Sequence, residues 1–174
     1  EIDLSLMEFL KEKTDAKIFL DPQGMVRDMG SDGRIREACD PRKAVALTRL
    51  TDIIKPNEQE ATDLTGVESP YAAVRILIEW GAEISIVTLA ERGSIAGKGR
   101  GLVRIPAYRT TAINPTGAGD TYIGAFIAKF LEGRNLFECA IFASAAASIK
   151  VEHTGPDFPV NNDEANRRVK EILG

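Results

Sequence analysis

The sequence predicts an α/β fold: a mostly parallel sheet with helices on both faces. Two observations carry the prediction. Short apolar runs of strand length alternate with helical segments along the chain, which implies βαβ units and a sheet covered by helices. The helical segments are bracketed by start and stop residues, Asp, Asn or Ser before them and often Gly after them. Those side chains satisfy orphan amides, and glycine tolerates the left-handed exit. No internal repeat, low-complexity tract or clear linker divides the 174 residues.

The elements follow in order. Leu4 to Leu10 is helix-like, and Ile18-Phe19-Leu20 is a strand that turns at Asp21-Pro22. Asp40 caps a helix with Pro41 in its first turn, running through Ala44, Leu47 and Leu50. Asp52 to Lys55 reads as a short buried strand. Asn57 caps the next helix, with Glu58 and Glu60 early in it and Gly66 just past its end. Ser69-Pro70 opens a helix whose Val74, Leu77 and Ile78 share a face and whose stop is Gly81. Ile84 to Leu89 is the strongest strand. Gly97 to Gly101 reads as a glycine-rich turn, with Leu102 to Ile105 as its hairpin partner. Ile123, Phe126, Ile127, Phe130 and Leu131 recur at helical spacing, an amphipathic helix closed by Gly133. Asn135 opens an alanine-rich helix to about Val151, and Asn161 or Asn162 caps a last one.

Bulk composition narrows the function classes. Hydrophobic residues are 44% and charged residues 28%, ordinary for a soluble globular protein. A net charge of −4 and a pI of about 5.2 favour neither nucleic acid nor an anionic membrane as partner. No apolar run approaches the roughly 20 residues of a membrane helix, and no signal peptide is recognisable. Cys39 and Cys139 lie far apart without CxxC spacing, so both read as reduced thiols of a cytoplasmic protein. Two cysteines and a single histidine, His153, are too few for a zinc site.

The most informative stretch is Asn114-Pro115-Thr116-Gly117-Ala118-Gly119-Asp120, which runs straight into an apolar helix. Gly117 and Gly119 let a ligand come close to the main chain. The first amides of the helix lack intrahelical partners, and the macrodipole adds roughly half a positive charge. Such a terminus attracts phosphate. Asp120 in the same turn repels a resting anion, so the combination suits a phosphoryl group in transit, with the carboxylate taking the proton of the attacking hydroxyl. A bare Gly-x-Gly would equally suit a structural loop with Asp120 as a favourable first-turn charge. A dinucleotide GxGxxG fingerprint is excluded, since position 122 is Tyr and the next glycine is Gly124.

Asn114 through Ile127 resembles the second signature of the ribokinase-like (PfkB) carbohydrate kinases. The resemblance implies a Rossmann-like, ribokinase-like fold in which the Gly117, Ala118 and Gly119 amides form an anion hole for the γ-phosphate of ATP. It makes Asp120 the general base for the acceptor hydroxyl. Lys55-Pro56-Asn57-Glu58-Gln59-Glu60 is similar to the family's KPNxxE segment. That implies Asn57 and Glu60 organising Mg²⁺ largely through water, with Lys55 near the phosphates; read alone, the segment is an Asn-capped helix with acidic first-turn residues. Ile86 through Ser94 resembles the family's VTLGxxG strand end, implying that Thr88 and Gly93 lie along the nucleotide. Ala90 stands where the family has Gly, which puts the close backbone approach there in doubt. Ala143 through Ala147 resembles the helix beside the adenine, with Ser144 at a position that contacts nucleotide in relatives; an alanine-rich packing helix explains it equally well. Some relatives hold a monovalent cation with an Asp at the start of the anion motif. Here it is the uncharged Asn114, so potassium dependence is open. His153 reads as a charge partner for the end of the alanine-rich helix.

The resemblance covers essentially the whole chain but only the later part of the family fold. Residues 1–174 are therefore read as the C-terminal, nucleotide-binding portion of a single ribokinase-like domain, with the N-terminal part and lid absent. The implied function is ATP-dependent phosphorylation of a sugar or nucleoside hydroxyl in the cytoplasm. Asp21-Pro22-Gln23-Gly24 followed by Arg27 resembles a strand end of sugar and nucleoside kinases without separating substrates. The expected partner is a small-molecule acceptor, with no nucleic acid and no membrane. A homodimer or association with the missing N-terminal part would cover an exposed sheet edge. Two other classes stay open. A nucleotide-binding regulatory module, or an inactive fragment lacking the acceptor site, would bind nucleotide without transfer; a plain α/β interaction domain would bind no Mg-ATP. A nicotinamide-dependent dehydrogenase fails for want of the glycine fingerprint after the first strand.

Overall fold

A computed structural model describes residues 4–23, 28–29, 35–36, 40–155, 157–159 and 161–174. Gly24, Arg27 and Cys39 lie outside the described residues, so the strand-end likeness at Gly24 and Arg27 and the thiol at Cys39 have no structural counterpart. The chain divides into two compact units, Glu1–Val87 with Gly97–Leu102 and Thr88–Ala96 with Val103–Gly174. The strands of a five-stranded sheet are, in their spatial order, β1 (Phe19–Leu20), β4 (Ile53–Ile54), β5 (Ile84–Thr88), β6 (Ser94–Lys98) and β7 (Gly101–Ile105).

In the first unit β1, β4 and β5 run parallel, with Phe19 opposite Ile53 and Ile53 opposite Ile84. The helices are α1 (Leu4–Lys13), α2 (Pro41–Arg49), α3 (Glu58–Thr65) and α4 (Pro70–Glu79). Their starts follow the caps. Asp40 accepts from Arg42 N, Asn57 from Glu60 N and Ser69 from Ala72 N. Gly66 closes α3 in the left-handed conformation, at φ 72°. Met7, Leu20, Ala44, Leu47, Ile54, Leu64 and Leu77 form one core, so each helix and the two short parallel strands bury a side chain in it. A two-residue ribbon, β2 (Asp28–Met29) antiparallel to β3 (Ile35–Arg36), was not legible in the sequence. Strands this short carry no periodicity.

Gly97 corrects the turn assignment. It lies inside β6, and the turn is confined to residues 99–100. A Cβ at Gly97 would come within 2.6 Å of Val74, 2.7 Å of Leu102 and 2.9 Å of Ile78. Glycine is needed here for the close approach of α4, whereas the turn residue proper is Gly99 at φ 55°.

In the second unit α6 (Leu136–Lys150) is the central element, with α5 (Ala118–Leu131) and α7 (Asn162–Leu173) packed against it. Asn135 and Glu138 form a reciprocal capping box at its start. Alanine and serine keep α6 slim, so it is buried almost all round, and Phe142 and Ile149 pack with Ala165 of α7 and Ala125 of α5. On α5 the fully buried residues are Tyr122 and Phe126, whereas Leu131 is 77% exposed. Helical spacing marks a stripe but not where the covering neighbour ends. Arg168 fastens α7: its guanidinium donates to both Glu152 oxygens (2.8 and 2.7 Å), to Glu164 (2.7 Å) and to Ser148 (3.0 Å). Burial pushes the Cys139 thiol up to about 11, so it stays protonated at neutral pH. Among the described residues no helix is long and apolar enough to cross a membrane.

Asp52, just before β4, accepts from Ile18 N (2.8 Å), Lys11 (2.7 Å) and Lys17 (3.1 Å), joining α1 and β1 to β4. Burial opposes ionisation, but the Ile18 amide and the two lysines prevail and hold its carboxyl below the usual value. A depressed folded-state pKa adds stability above the unfolded value and loses it as pH falls through the folded one. Asp52→Asn is therefore expected to be less stable than wild type at pH 7. In urea titrations that difference should shrink progressively below about pH 4, where the unfolded carboxyl protonates; a pH-independent difference would contradict the ionic role.

Candidate active site

The site residues fall into two groups, one in each unit. In the first, the carboxyl ends of the parallel strands β1 and β4 bring Asp21 and Lys55 together. Leu20 pairs with Ile54 in register, and Lys55 N donates to Leu20 O (2.9 Å). The residues one step further along therefore face each other across the strand ends. Lys55 is 3% exposed, and its Nζ lies 2.7 Å from Asp21 Oδ2. That contact is an ion pair without hydrogen-bond alignment, since neither Asp21 oxygen has an aligned donor. The sequence reading gave Lys55 a phosphate role and missed this partner. The signal was available, because two residues that end adjacent parallel strands must be neighbours.

Asn57 and Glu60 then form a capping box at the start of α3. Glu60 N donates to Asn57 Oδ1 (2.9 Å), and Asn57 N donates to Glu60 Oε2 (2.8 Å). The box fixes both side chains at one helix end and holds Glu60 almost wholly buried. Among the described residues no group of three or more His, Cys, Asp or Glu could hold a metal. The Asn57–Glu60 donor set is all oxygen, with one carboxylate and one amide. That chemistry fits a magnesium ion that keeps most of its waters.

In the second unit, Thr88 ends β5 half-buried and leads into a tight turn. Leu89 N donates to Gly93 O (2.7 Å), and Gly93 N to Ala90 O (3.0 Å). Gly93 has φ 89°, and a Cβ on it would lie 2.0 Å from Ile105 O and 2.8 Å from Ala107 N. Only glycine fits that approach of two backbones. Ser144 of α6 donates to Pro106 O (3.0 Å) in the same segment, so Gly93 and Ser144 both fasten the chain just past β7. Ala90, standing where the family has Gly, keeps the glycine-like conformation at φ 51°, the single non-glycine residue with positive φ among the described residues.

The glycine motif of residues 114–120 leads into the start of α5. Gly117 is the helix N-cap in the left-handed region, at φ 84°. The turn before it closes through Ala118 N to Pro115 O (3.1 Å) and Thr116 N to Asn114 Oδ1 (2.9 Å). The amide trio expected from the sequence is thereby reduced, because a turn of this geometry uses the Ala118 N–H internally. The N–H groups of Gly117 and Gly119 have no acceptor among the described residues. Gly117 to Gly119 are half-buried and Asp120 is exposed, so amides and carboxylate are reachable from solvent in one turn. Behind the turn, Val151 O at the end of α6 accepts from Ile113 N (2.7 Å) and Asn114 N (3.0 Å). Tyr122, one turn into α5, hydrogen-bonds Ser94 through its hydroxyl (2.9 Å), which ties α5 to the residue after Gly93. Burial raises the Tyr122 pKa, so the hydroxyl stays protonated. His153 Nδ1 lies 2.9 Å from Ile149 O, at the carboxyl end of α6. An open cavity of about 370 Å³ lined by Pro106, Ala107, Tyr108, Arg109, Glu171 and Ile172 includes none of the expected site residues.

The description of the pfkB carbohydrate kinase family matches residues 26–163. The chain belongs to that family. A cytidine kinase of Thermococcus kodakarensis is 39% identical over 95 residues, covering 53% of this chain and 34% of that protein. A ribokinase of Haemophilus influenzae is 38% identical over 115 residues, covering 63% of this chain and 37% of its own length. Among solved structures, an Arabidopsis thaliana ribokinase complexed with ribose and ATP superposes with a TM-score of 0.71 at 27% identity, covering 96% of this chain and 51% of that one. The chain thus spans about a third of these curated relatives' length and about half of that solved structure's.

The two unusual backbone sites of the second unit give opposite expectations. Ala90→Gly relieves a left-handed alanine and is expected to raise stability by about 1 kcal/mol. Gly117→Ala adds a Cβ at φ 84°, 3.2 Å from Lys150 Cε, and is expected to cost about 1–2 kcal/mol. Urea midpoints measure both, and equal signs would contradict the backbone assignment.

Proposed function

We propose that the chain carries the phosphoryl-transfer half of an ATP-dependent kinase acting on a hydroxyl of a sugar or nucleoside. One observation carries the reading: the Gly117 and Gly119 amides, without an acceptor among the described residues, share a helix start with the exposed carboxylate of Asp120. Amides alone would make a resting phosphate site. The added carboxylate suits a reaction in which an acceptor O–H must lose its proton as its oxygen bonds the γ-phosphorus. The bond from that phosphorus to the β–γ bridging oxygen breaks, ADP leaves, and Asp120 keeps the proton.

In this reading the amides of Gly117 and Gly119 steady charge developing on the transferred group, an electrostatic contribution fixed before reaction. Asn57 and Glu60 would hold Mg²⁺ through water, and the ion would supply positive charge against the triphosphate. Lys55, anchored by Asp21, supplies a fixed positive charge at the strand ends. Thr88, Gly93 and Ser144 shape the segment along which the nucleotide lies, Gly93 and Ser144 by holding the chain after β7. The relatives support a sugar or nucleoside acceptor, one being a cytidine kinase and another a ribokinase. The acceptor is a small molecule, and the reaction belongs in the cytoplasm, where Mg-ATP is abundant.

Asp120→Asn is expected to lower kcat about 10²–10⁴-fold, the usual worth of a general base, with ATP affinity kept. Single-turnover transfer from ATP to a panel of sugars and nucleosides, beside calorimetric ATP binding, measures both. Near wild-type turnover in the variant would remove Asp120 from the role. ATP binding with no transfer to any acceptor would favour a regulatory module.

A further inference from the structure

Lys150 is used by none of the motifs above, yet it stands against the anion turn. It is the last residue of α6 and is 4% exposed. Its Cε lies 3.2 Å from the point where a side chain on Gly117 would begin, and its Nζ is one bond further. That ammonium donates to His153 O (3.2 Å) and sits 5.2 Å from the Phe158 ring centroid. Among the described residues no carboxylate lies within 4.0 Å of it.

A buried charge without a counter-charge is expensive and persists only where something compensates it. The carbonyl end of α6 compensates in part, since a cation is favourable there. The amides of Gly117, whose Cβ position lies against Lys150 Cε, and of Gly119 have no acceptor among the described residues and also suit a negative partner. The ammonium has a carbonyl and a ring beside it but no counter-charge among the described residues, and one bound anion would serve it and the two amides together. Asn114 at the start of the turn is uncharged and cannot serve as that partner itself. The turn is held to the same helix end by Val151 O, so α6 fixes the ammonium and the amides together.

We propose that Lys150 is the built-in cation of the anion turn, drawing a phosphate or transferring phosphoryl group to the Gly117–Gly119 amides. The proposal rests on the phosphoryl-transfer reading of that turn, and it extends it to a residue outside the motif. Lys150 acts through its field and by holding the turn, a positioning role rather than a proton transfer. A corollary follows for monovalent cations. With a fixed ammonium beside the turn and a neutral Asn114, wild-type turnover is expected to be indifferent to potassium against a tetramethylammonium background.

The probe is inorganic phosphate titrated into the ¹⁵N-labelled chain, followed at the Gly117 and Gly119 amides. Lys150→Met keeps the length and removes the charge, and is expected to weaken phosphate binding about 10–100-fold. Lys150→Arg keeps the charge and should lose less than about 3-fold. Circular dichroism and melting temperature report whether either variant folds. If Lys150→Met does not, the labelled Lys150 side-chain resonance of the wild type still decides, because it must shift on phosphate addition together with the two glycines. Equal binding by Lys150→Met and wild type would overturn the proposal. So would equal loss in both variants, which is a shape effect, or a lysine resonance that stays still. Lys150-dependent phosphate binding without kinase turnover would leave this proposal standing and remove the kinase reading. Turnover with phosphate binding indifferent to Lys150 would do the reverse.

Discussion

The second unit is organised around the carboxyl end of α6, because that is where the chain leading to the Gly117 turn is held. Val151 O accepts two consecutive amides, from Ile113 and Asn114, and so sets the direction in which the chain enters residues 115–117. Gly117 can then turn left-handed, and the Gly117 and Gly119 amides are left without an acceptor among the described residues. The same helix end is braced from the other side by Glu152, gripped by Arg168 of α7 and by the Thr110 hydroxyl. A helix made of alanine and serine suits this position, since small side chains let α5 and α7 approach without consuming its capped, rigid backbone.

The first unit uses a different device for a similar end. Parallel strands place successive loops at one edge, and there Asp21, Lys55 and the capped start of α3 collect. Asn57 and Glu60 would stabilise their helix in any protein. What sets them apart is that the capping box leaves an all-oxygen donor pair fixed at the strand end. Cap and candidate ligand are the same atoms, so local helix physics and metal chemistry ask for the same two residues.

Much of this was legible in the sequence, for a physical reason. Caps and stops act locally, so Asp40, Asn57, Ser69, Asn135 and Asn161 mark their helices in the chain as they do in space. The glycine motif was legible because its conformational demand is local too. Side chains that meet across sequence distance were not. Lys55 with Asp21, Ser144 with Pro106 O and Lys150 with Gly117 are each set by how elements dock. Gly97 shows the same limit from the other direction: read locally it is a turn residue, but the side chains of α4 made it a strand glycine. Leu131 follows the helical period and is nonetheless in solvent.

The central claim is that the start of α5 receives a phosphoryl group between amides and a base. A crystal structure of the chain with Mg²⁺, ADP and aluminium fluoride tests it most directly, since the planar fluoride mimics the group in flight. The account predicts fluoride ligands within about 3 Å of the Gly117 and Gly119 amide nitrogens, with the Asp120 carboxylate facing the open apical side. Fluoroaluminate bound elsewhere, or nucleotide bound with this turn empty, would contradict it.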